Sequence, residues 1–421
     1  MKNKKNIKYY SLLLISIIII SCSNNPSQST IISNEDTNSI LLTPNDLPTD
    51  TFVESNSIKI VAKEAFNNLQ IFMLAGENSI TNKKYISLTK ALELKYSTVE
   101  ETGSVNELSI TNHSEHYIFI HAGDIVKGGR QDRTISYDVI IPPYAKKIPL
   151  TSFCVESARW QKRGNESVSE FSANDNILSS RKLKVASKAQ GNQSEVWKEV
   201  SEQQSKLNSN VSYFADKNID VTSNSSGSSL QLSLENEDLD SIKNSYRIHF
   251  EYLINEFPES TGFAYAINGE VYGIELYNSK DLFIDLWGKL LNACIIESIS
   301  ERNDSTYTSA YNKDVFEILT NLMQAKQTKK NINSETSLIT STTKEAMLFT
   351  TIDRELNNWV HKNYIAIDSS MNNEVNKTRN IEVQDIELNS YWSLLNLNNI
   401  EVLAHIFAKA KIVSKPYFYC L

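Results

Sequence analysis

Apolar residues divide the chain into a first part with strand-like patterns and a second part with helix-like patterns. Between residues 58 and 160, short apolar runs are separated by Gly, Asn and Pro, which is typical of β-strands. The predicted strands are 58–61, 69–74, 108–112, 117–121, 134–141 and 153–156. We therefore expect a sheet to form the core of this part.

The segment GFAYAINGEVYGIELY at 262–277 predicts a β-hairpin. Asn268 and Gly269 lie between its two apolar runs and readily adopt the positive φ angles of a type I′ turn. Asn278 or Ser279 can cap the helix that follows. Apolar residues at helical spacing then indicate a core-facing stripe: Leu282, Phe283, Leu286, Trp287, Leu290, Leu291, Cys294 and Ile295. Further helical patterns occur at 196–207, 239–253 and 400–410, and from about residue 313.

These elements together predict an α+β fold, in which the β-rich N-terminal half forms a mixed or antiparallel sheet and helices pack on it. We expect one elaborated domain at 57–365, with a polar insertion at about 200–240. Residues 366–421 are interpreted as a C-terminal extension. Residues 22–56 are rich in Ser, Asn, Thr, Asp and Pro, which predicts a flexible tether.

The N terminus has the pattern of a bacterial lipoprotein signal peptide. Four lysines precede an apolar run at 12–20 that is too short to cross a bilayer. The run ends Ile-Ile-Ser-Cys, a lipobox in which Cys22 becomes the acylated N terminus once residues 1–21 are removed. The alternative is an ordinary signal peptide or an uncleaved anchor. We expect a cell-envelope protein held on the membrane by its N-terminal lipid, at the outer membrane or the periplasmic side.

Charge and cysteine content restrict the classes of partner. Removing the four lysines of residues 1–21 from the 42 basic residues leaves 38 against 50 acidic ones, a formal net charge of −12. This balance argues against nucleic acid as a partner. With Cys22 acylated, three cysteines remain, so at most one disulfide can form, and we expect none to be essential.

The stretch QDRTISYDVI at 131–140 directs an arginine toward the core. Ile135 and Tyr137 alternate with polar residues, and counting back by twos places Gln131 and Arg133 on the same apolar face. A buried guanidinium is costly unless a carboxylate or a ligand anion meets it. The candidate carboxylates are Glu101, Asp124 and Glu156.

The stretch FCVESARW at 153–160 places a carboxylate, a planar cation and a large ring within five residues: Glu156, Arg159 and Trp160. Such a set suits a sugar, a nucleotide or a phosphate. A buried Arg–Glu network that fixes strand register is the alternative. Gly128 and Gly129 have the same two interpretations, because they can admit a ligand to the backbone or simply form a turn.

Catalytic interpretations are also open. Glu156 and Asp124 are candidates for acid–base work on a glycosidic or phosphoester bond. Cys154 is either a nucleophile or, more simply, an inert buried thiol. His361 is the downstream histidine best placed to act as a base, although a single strand histidine is commonly structural.

The sequence predicts no cofactor and no metal. Four metal-ligating side chains lie close together in the chain, but their spacing fits neither a zinc motif nor one face of a strand: His113, Glu115, His116 and His121.

Four segments together resemble the ARG and rhodanese-phosphatase-superfamily-associated protein domain: 99–112, 122–160, 190–197 and 262–291. The combination of GD…GG.QDR, CVE..RW, Q..VW, a glycine-containing hairpin and F..LW is specific, although each piece alone is weak. The matching motif positions are Gly123, Asp124, Gly129, Gln131, Arg133, Cys154, Glu156, Arg159, Trp160 and Trp197. The resemblance covers about residues 57–365.

What the resemblance implies about activity is limited. The family name implies association with ADP-ribosylglycohydrolase-like proteins, for which ADP-ribose or another nucleotide derivative is a natural ligand. A lipid-anchored location makes envelope glycans or sugar phosphates equally suitable. We expect an anionic or polyhydroxyl small molecule to bind at five residues: Gln131, Arg133, Glu156, Arg159 and Trp160. The alternatives are the hydrolase that uses Glu156 or Asp124, and an envelope scaffold with a structural Arg–Glu network.

Overall fold

The computed structural model describes residues 58–215, 218–303, 305–322, 325–367 and 371. These residues belong to one compact unit. The predicted signal peptide, Cys22, the tether, the helical pattern at 400–410 and nearly all of the C-terminal extension lie outside the described residues.

An eight-stranded antiparallel sheet is the largest layer of the fold. Its strands, in spatial order, are β1 (Lys59–Phe66), β2 (Leu69–Ala75), β12 (Gly262–Ile267), β13 (Glu270–Tyr277), β17 (Asn358–Ala366), β16 (Ala346–Asp353), β15 (Thr336–Thr342) and β14 (Lys326–Asn331). Strands from the two ends of the domain therefore meet in its middle, where β12 pairs with β2 and β13 pairs with β17.

Two smaller sheets come from residues 85–178. A closed barrel contains, in spatial order, β10 (Ile148–Cys154), β5 (Glu107–Asn112), β4 (Ser97–Glu101), β11 (Glu170–Leu178), β7 (Asp124–Gly128) and β8 (Arg133–Ile135). A three-stranded sheet contains β3 (Tyr85–Ser87), β6 (Tyr117–Ile120) and β9 (Val139–Ile141). The chain alternates between these two sheets, so residues near each crossing point lie at their junction.

The described residues include eight α-helices: α1 (Leu88–Glu93), α2 (Arg181–Val185), α3 (Gln193–Ala215), α4 (Leu230–Leu234), α5 (Glu237–Phe250), α6 (Leu253–Glu256), α7 (Lys280–Ser300) and α8 (Asn312–Asn321). A π-helical turn, 186–190, continues α2. Within the described part of the chain, no helix combines the length and the apolarity that crossing a bilayer requires.

The large sheet is covered on both faces, and β2 shows why. Leu69, Ile71 and Met73 pack with the apolar residues of α5 and α7, whereas Phe72 and Leu74 pack on the opposite face with residues of α8. Because successive strand residues point to opposite faces, a run that is apolar at nearly every position forms a strand buried on both sides.

The predicted α+β class, the hairpin and the following helix are confirmed. Asn268 and Gly269 connect β12 to β13 with φ angles of 52° and 81°. The Ser279 hydroxyl accepts a hydrogen bond from the backbone N–H of Leu282 at 3.4 Å, which begins α7. The predicted apolar stripe of α7 is buried, and it packs in the main core.

The predicted strand 134–141 is wrong, because the segment forms two strands in different sheets. β8 belongs to the barrel and β9 to the three-stranded sheet, and Ser136 and Asp138 lie between them. Both of these residues are buried although they lie on the polar side of the alternation. Asp138 accepts a hydrogen bond from the backbone N–H of Ala122, so a polar contact bends the chain here. The predicted strand 153–156 likewise extends only to Cys154.

We predict that Gly269→Ala lowers the free energy of unfolding by at least about 1 kcal/mol. The turn needs a positive φ at this position, and a Cβ atom would overlap the carbonyl oxygen of Thr308. Chemical denaturation measures the change. Gly288→Ala is the matched control, since Gly288 is exposed within α7 and a Cβ atom there would meet no atom within 4 Å outside its own helix. That variant should be neutral or slightly more stable, and equal losses in both variants would contradict the prediction.

Candidate functional site

The glycine-containing turn between β7 and β8 supports a buried group of charges that we call the arginine cluster: Asp132, Arg133, Glu156, Arg159 and Arg163. Gly128 and Gly129 have φ angles of 124° and 56°, and a Cβ atom on Gly129 would overlap the ring of Phe171. A side chain at either position is therefore unfavourable. The turn directs Asp132 and Arg133 into the protein, where both are fully buried.

Glu156 and Asp132 are the two anions of the arginine cluster. Glu156 Oε1 accepts a hydrogen bond from Arg159 Nε at 2.7 Å, and its Oε2 lies 2.6 Å from Arg159 Nη2. Arg163 donates to both oxygens of Asp132, at 2.8 and 3.0 Å. Such two-pronged Arg–carboxylate pairs are strong and directional. Arg159 also donates to the carbonyls of Gly128, Gly129 and Gln161, which ties the loop after β10 to the glycine turn.

Serine residues from a distant part of the chain complete the coordination of these anions. The Ser226 hydroxyl donates to Glu156 Oε1 at 2.5 Å, and the Ser229 hydroxyl donates to Asp132 Oδ2 at 2.7 Å. Burial acts to raise the pKa of Glu156, but the hydrogen bonds from Arg159 and then Ser226 outweigh it and lower that pKa below its usual range. Glu156 is therefore ionised and saturated with donors.

Arg133 is bound less completely than the other arginines. Its Nη1 donates to Gln131 Oε1 at 3.2 Å and to the Cys154 sulfur. Its Nη2 lies 3.5 Å from Glu101 Oε2, but within the described part of the chain Nε and Nη2 have no hydrogen-bond acceptor. The centre of the guanidinium lies 5.7 Å from the centroid of the Trp160 ring, which is 45% exposed. The edge of the Arg133 guanidinium formed by Nε and Nη2 is thus left without hydrogen bonds, close to the partly exposed ring of Trp160.

The structure brings together all five predicted ligand-binding residues. Gln131 Nε2 donates to the Glu156 carbonyl at 2.8 Å, which connects the two predicted stretches. Of the three candidate carboxylates for Arg133, the nearest is Glu101, whereas Glu156 binds Arg159 and Asp124 lies elsewhere. The motifs did not identify Asp132, Arg163 or the two serines as members of the cluster, although Asp132 stands within the QDR motif.

Cys154 adjoins Arg133, but its environment does not favour a thiolate. Burial raises the pKa of Cys154 to about 11, more than the neighbouring Arg133 lowers it. The side chain of Gln193, the first residue of α3, pairs with both backbone groups of Cys154 at 2.9 and 2.8 Å. These contacts are those of a structural thiol at the end of β10.

Asp124 belongs to a second buried group, which we call the histidine cluster: His121, Asp124, Asp138, Lys184, Glu275, Lys289 and His361. Asp124 Oδ2 accepts from the backbone N–H of His121 at 2.9 Å, and Lys289 Nζ lies 2.6 Å from Asp124 Oδ1. Asp124 and Glu156, the two carboxylates considered for acid–base catalysis, therefore lie in separate networks.

His361 is the centre of the histidine cluster. Its Nδ1 lies 2.8 Å from Asp138 Oδ2, and its Nε2 lies 2.5 Å from Glu275 Oε2. Burial acts to lower the pKa of His361, but the two carboxylates outweigh it and raise that pKa. Glu275 Oε1 also lies 3.3 Å from Lys184 Nζ.

Gly123 of the GD motif makes room for Lys184. Its φ angle is 93°, and a Cβ atom there would lie 2.9 Å from Lys184 Cε. Both residues of the GD motif therefore serve the histidine cluster. Gly123 leaves space for Lys184, and Asp124 supplies a carboxylate. The sequence showed this pair as a motif but not its partners, because Lys184, Glu275 and His361 come from distant elements.

A cavity of about 340 Å³ lies at the large sheet, and its lining includes Leu319, Leu322, Lys362 and Tyr364. Its volume is within the range of ligand pockets. None of the predicted site residues lines this cavity. It therefore does not bear on the chemistry predicted for the family motifs.

Fold and site together define a class: an α+β protein with three sheets and two buried charged networks. The chain belongs to the ARG and Rhodanese-Phosphatase-superfamily-associated Protein domain family, whose model matches residues 57–365. No curated protein and no solved structure shows significant similarity to it. Membership confirms the resemblance drawn from the motifs, and the family name specifies no activity.

We predict that Glu156→Gln destabilises the protein by about 3–5 kcal/mol near neutral pH, because it leaves buried arginines without their anion. The folded-state pKa of Glu156 is lower than its value of about 4.5 in the unfolded chain. Its stabilisation is therefore fully present above that value and is lost as pH falls through the folded pKa. Urea denaturation between pH 7 and pH 3 should show a flatter pH dependence in the variant.

Glu166→Gln is the control for this experiment. Glu166 also pairs with Arg163, at 2.9 Å, but its side chain is 24% exposed, so its removal should cost about 1 kcal/mol or less. If the two variants lose the same stability, Glu156 is not the principal anion of the arginine cluster.

Proposed function

We propose that this chain is a lipid-anchored envelope protein that binds an anionic small molecule at Arg133. One observation carries the proposal: the Nε and Nη2 groups of this buried guanidinium have no hydrogen-bond acceptor among the described residues. The edge formed by these two groups matches the two oxygens of a carboxylate or a phosphate. The Glu101 carboxylate approaches this edge, 3.5 Å from Nη2, without making a hydrogen bond. A buried donor without a partner costs about 1–3 kcal/mol, and a bound anion would remove that cost.

The surroundings of Arg133 favour a specific mode of entry. Arg133 itself is not exposed, whereas the Trp160 ring beside it is nearly half exposed. Arg130 lies on the same ring, with its guanidinium carbon 5.3 Å from the ring centroid. In the proposal, Trp160 moves aside so that the anionic group of the ligand reaches Arg133. The ring then stacks on the base or sugar of the ligand, and Arg130 provides a second positive charge.

The remaining cluster residues have supporting roles in this proposal. Gln131 fixes Nη1 of Arg133, and thereby the direction of the edge formed by Nε and Nη2. Glu156 and Arg159 hold the loop that carries Trp160 against the glycine turn. Nucleotide derivatives and sugar phosphates combine an anion with a polyhydroxyl or aromatic part, so they are the ligand classes that suit this arrangement best.

A structural role is the second candidate for part of the arginine cluster. The hydrogen bonds of Glu156 and Arg159 favour it, because both side chains already pair with other groups of the protein rather than presenting them to a ligand. A hydrolase that uses Glu156 would need this carboxylate to exchange protons, which its lowered pKa and its salt bridges disfavour.

We predict that ADP-ribose, a sugar phosphate or inorganic phosphate raises the melting temperature of the full-length chain. A ligand at 100 times its dissociation constant stabilises the native state by about 2.7 kcal/mol. Arg133→Met should abolish the shift, and Trp160→Ala should weaken it for ADP-ribose more than for phosphate. Isothermal calorimetry then gives the affinity and confirms a single site.

Arg354→Met is the matched control, since Arg354 is an exposed arginine outside the arginine cluster whose guanidinium donates to the Asn333 carbonyl. It should leave the ligand shift unchanged. If no anion binds the wild type, or if Arg133→Met retains the full shift, the proposal is wrong and the arginine cluster is structural throughout.

We predict that Cys22→Ala moves the chain from the membrane fraction to the soluble fraction of cells, because the lipobox cysteine can no longer be acylated. Cell fractionation followed by immunoblotting measures the distribution. Ser23→Ala changes the adjacent residue and should leave the chain on the membrane. Retention of Cys22→Ala on the membrane would contradict the lipid anchor.

A further inference from the structure

The two histidines of the histidine cluster are oriented in the same way, although they come from different sheets. His121 follows β6, and its Nδ1 lies 2.7 Å from the carbonyl oxygen of Ala122. His361 lies in β17, and its Nδ1 lies 2.8 Å from the Asp138 carboxylate. A carbonyl or carboxylate acceptor fixes a proton on Nδ1, so each ring presents Nε2 as its remaining nitrogen.

Both Nε2 atoms face one carboxylate oxygen. Glu275 Oε2 lies 2.5 Å from His361 Nε2 and 3.7 Å from His121 Nε2. The 3.7 Å separation is too long for a hydrogen bond, and His121 Nε2 has no hydrogen-bond partner in the described part of the chain although it is completely buried. A nitrogen lone pair and a carboxylate oxygen therefore face each other, and a cation between them would satisfy both.

We propose that the histidine cluster binds one divalent transition-metal ion through His121 Nε2, His361 Nε2 and Glu275 Oε2. Two imidazoles and one carboxylate are a common ligand set for Zn²⁺ and for Fe²⁺. The second ring nitrogen of each histidine is held by a carboxylate or a backbone carbonyl, which is the arrangement that orients metal-bound histidines.

The carboxylates of the cluster offset the lysines beside them, because Asp124 pairs with Lys289 and Glu275 pairs with Lys184. A metal ion at His361 Nε2 takes the place of any proton on that nitrogen, and the proton leaves to solvent. Lys184 remains on the other oxygen of Glu275, at 3.3 Å, so Glu275 binds the metal through one oxygen only.

A small cavity adjoins the proposed metal site. It measures about 20 Å³, and Glu275, Lys184 and Cys294 are among the residues that line it. This volume holds about one water molecule, and of the three proposed ligands only Glu275 lines the cavity. The site shares no residue with the arginine cluster, so the inference does not depend on the anion-binding proposal.

Metal content of the full-length chain tests the inference. The untagged protein is stripped with a chelator, and Co²⁺ is added while its visible absorption is recorded; Zn²⁺ and Fe²⁺ are then tested by competition and by elemental analysis. The expected result is one ion per chain for the wild type. His121→Gln and Glu275→Gln should each weaken Co²⁺ binding by at least about 10-fold.

His113→Gln is the matched control, because His113 is an exposed histidine that contacts Thr98 outside the cluster. It should bind Co²⁺ as tightly as the wild type. Circular dichroism establishes which variants are folded. Asp138→Asn replaces no proposed ligand, and we expect it to weaken binding about 10–100-fold by releasing His361.

Two results would overturn the inference. One is a wild-type chain that binds no Co²⁺, Zn²⁺ or Fe²⁺ after stripping and shows no metal-dependent change in melting temperature. The other is a folded His121→Gln or Glu275→Gln protein with the stoichiometry and affinity of the wild type. If both ligand variants are unfolded, the wild-type stoichiometry and the effect of Asp138→Asn decide the matter.

Discussion

The fold depends on burying charged groups where its sheets meet. Asp138 precedes β9 of the three-stranded sheet, Asp124 begins β7 of the barrel, and Glu275 and His361 lie on paired strands of the large sheet. Each carboxylate is met by a histidine or a lysine from another element. An unpaired buried charge is strongly destabilising, so these pairs favour the relative arrangement of the three sheets in which every partner is met.

The need to pair buried charges from distant elements explains which structural features could be predicted from the sequence. Local signals identified the β12–β13 hairpin and the Ser279 cap of α7, because a turn's φ angles and a helix's first N–H groups are satisfied by neighbouring residues. The break between β8 and β9 was not readable. At this break Asp138 contacts both Ala122 and His361, the latter more than two hundred residues later, whereas alternation alone suggests a continuous strand.

The candidate site was partly readable for the same reason. The alternation directed Arg133 inward, and the structure places it there, because strand geometry is local. The choice of Glu101 rather than Glu156 as its nearest carboxylate depends on how the barrel closes. Ser226 and Ser229 come from a stretch without apolar periodicity, so only the folded chain shows that they bind Glu156 and Asp132.

The two clusters differ in how completely their polar groups are used, and this difference separates stability from function. In the arginine cluster, Glu156 and Arg159 are saturated, which is what a structural network requires. Arg133 and His121 are different, because among the described residues each has a fully buried side-chain nitrogen without a hydrogen-bond partner. A buried polar group without a hydrogen-bond partner costs free energy unless a ligand supplies that partner. An anion at Arg133 and a cation at His121 would each remove such a cost, so ligand binding and folding would stabilise one another in both clusters.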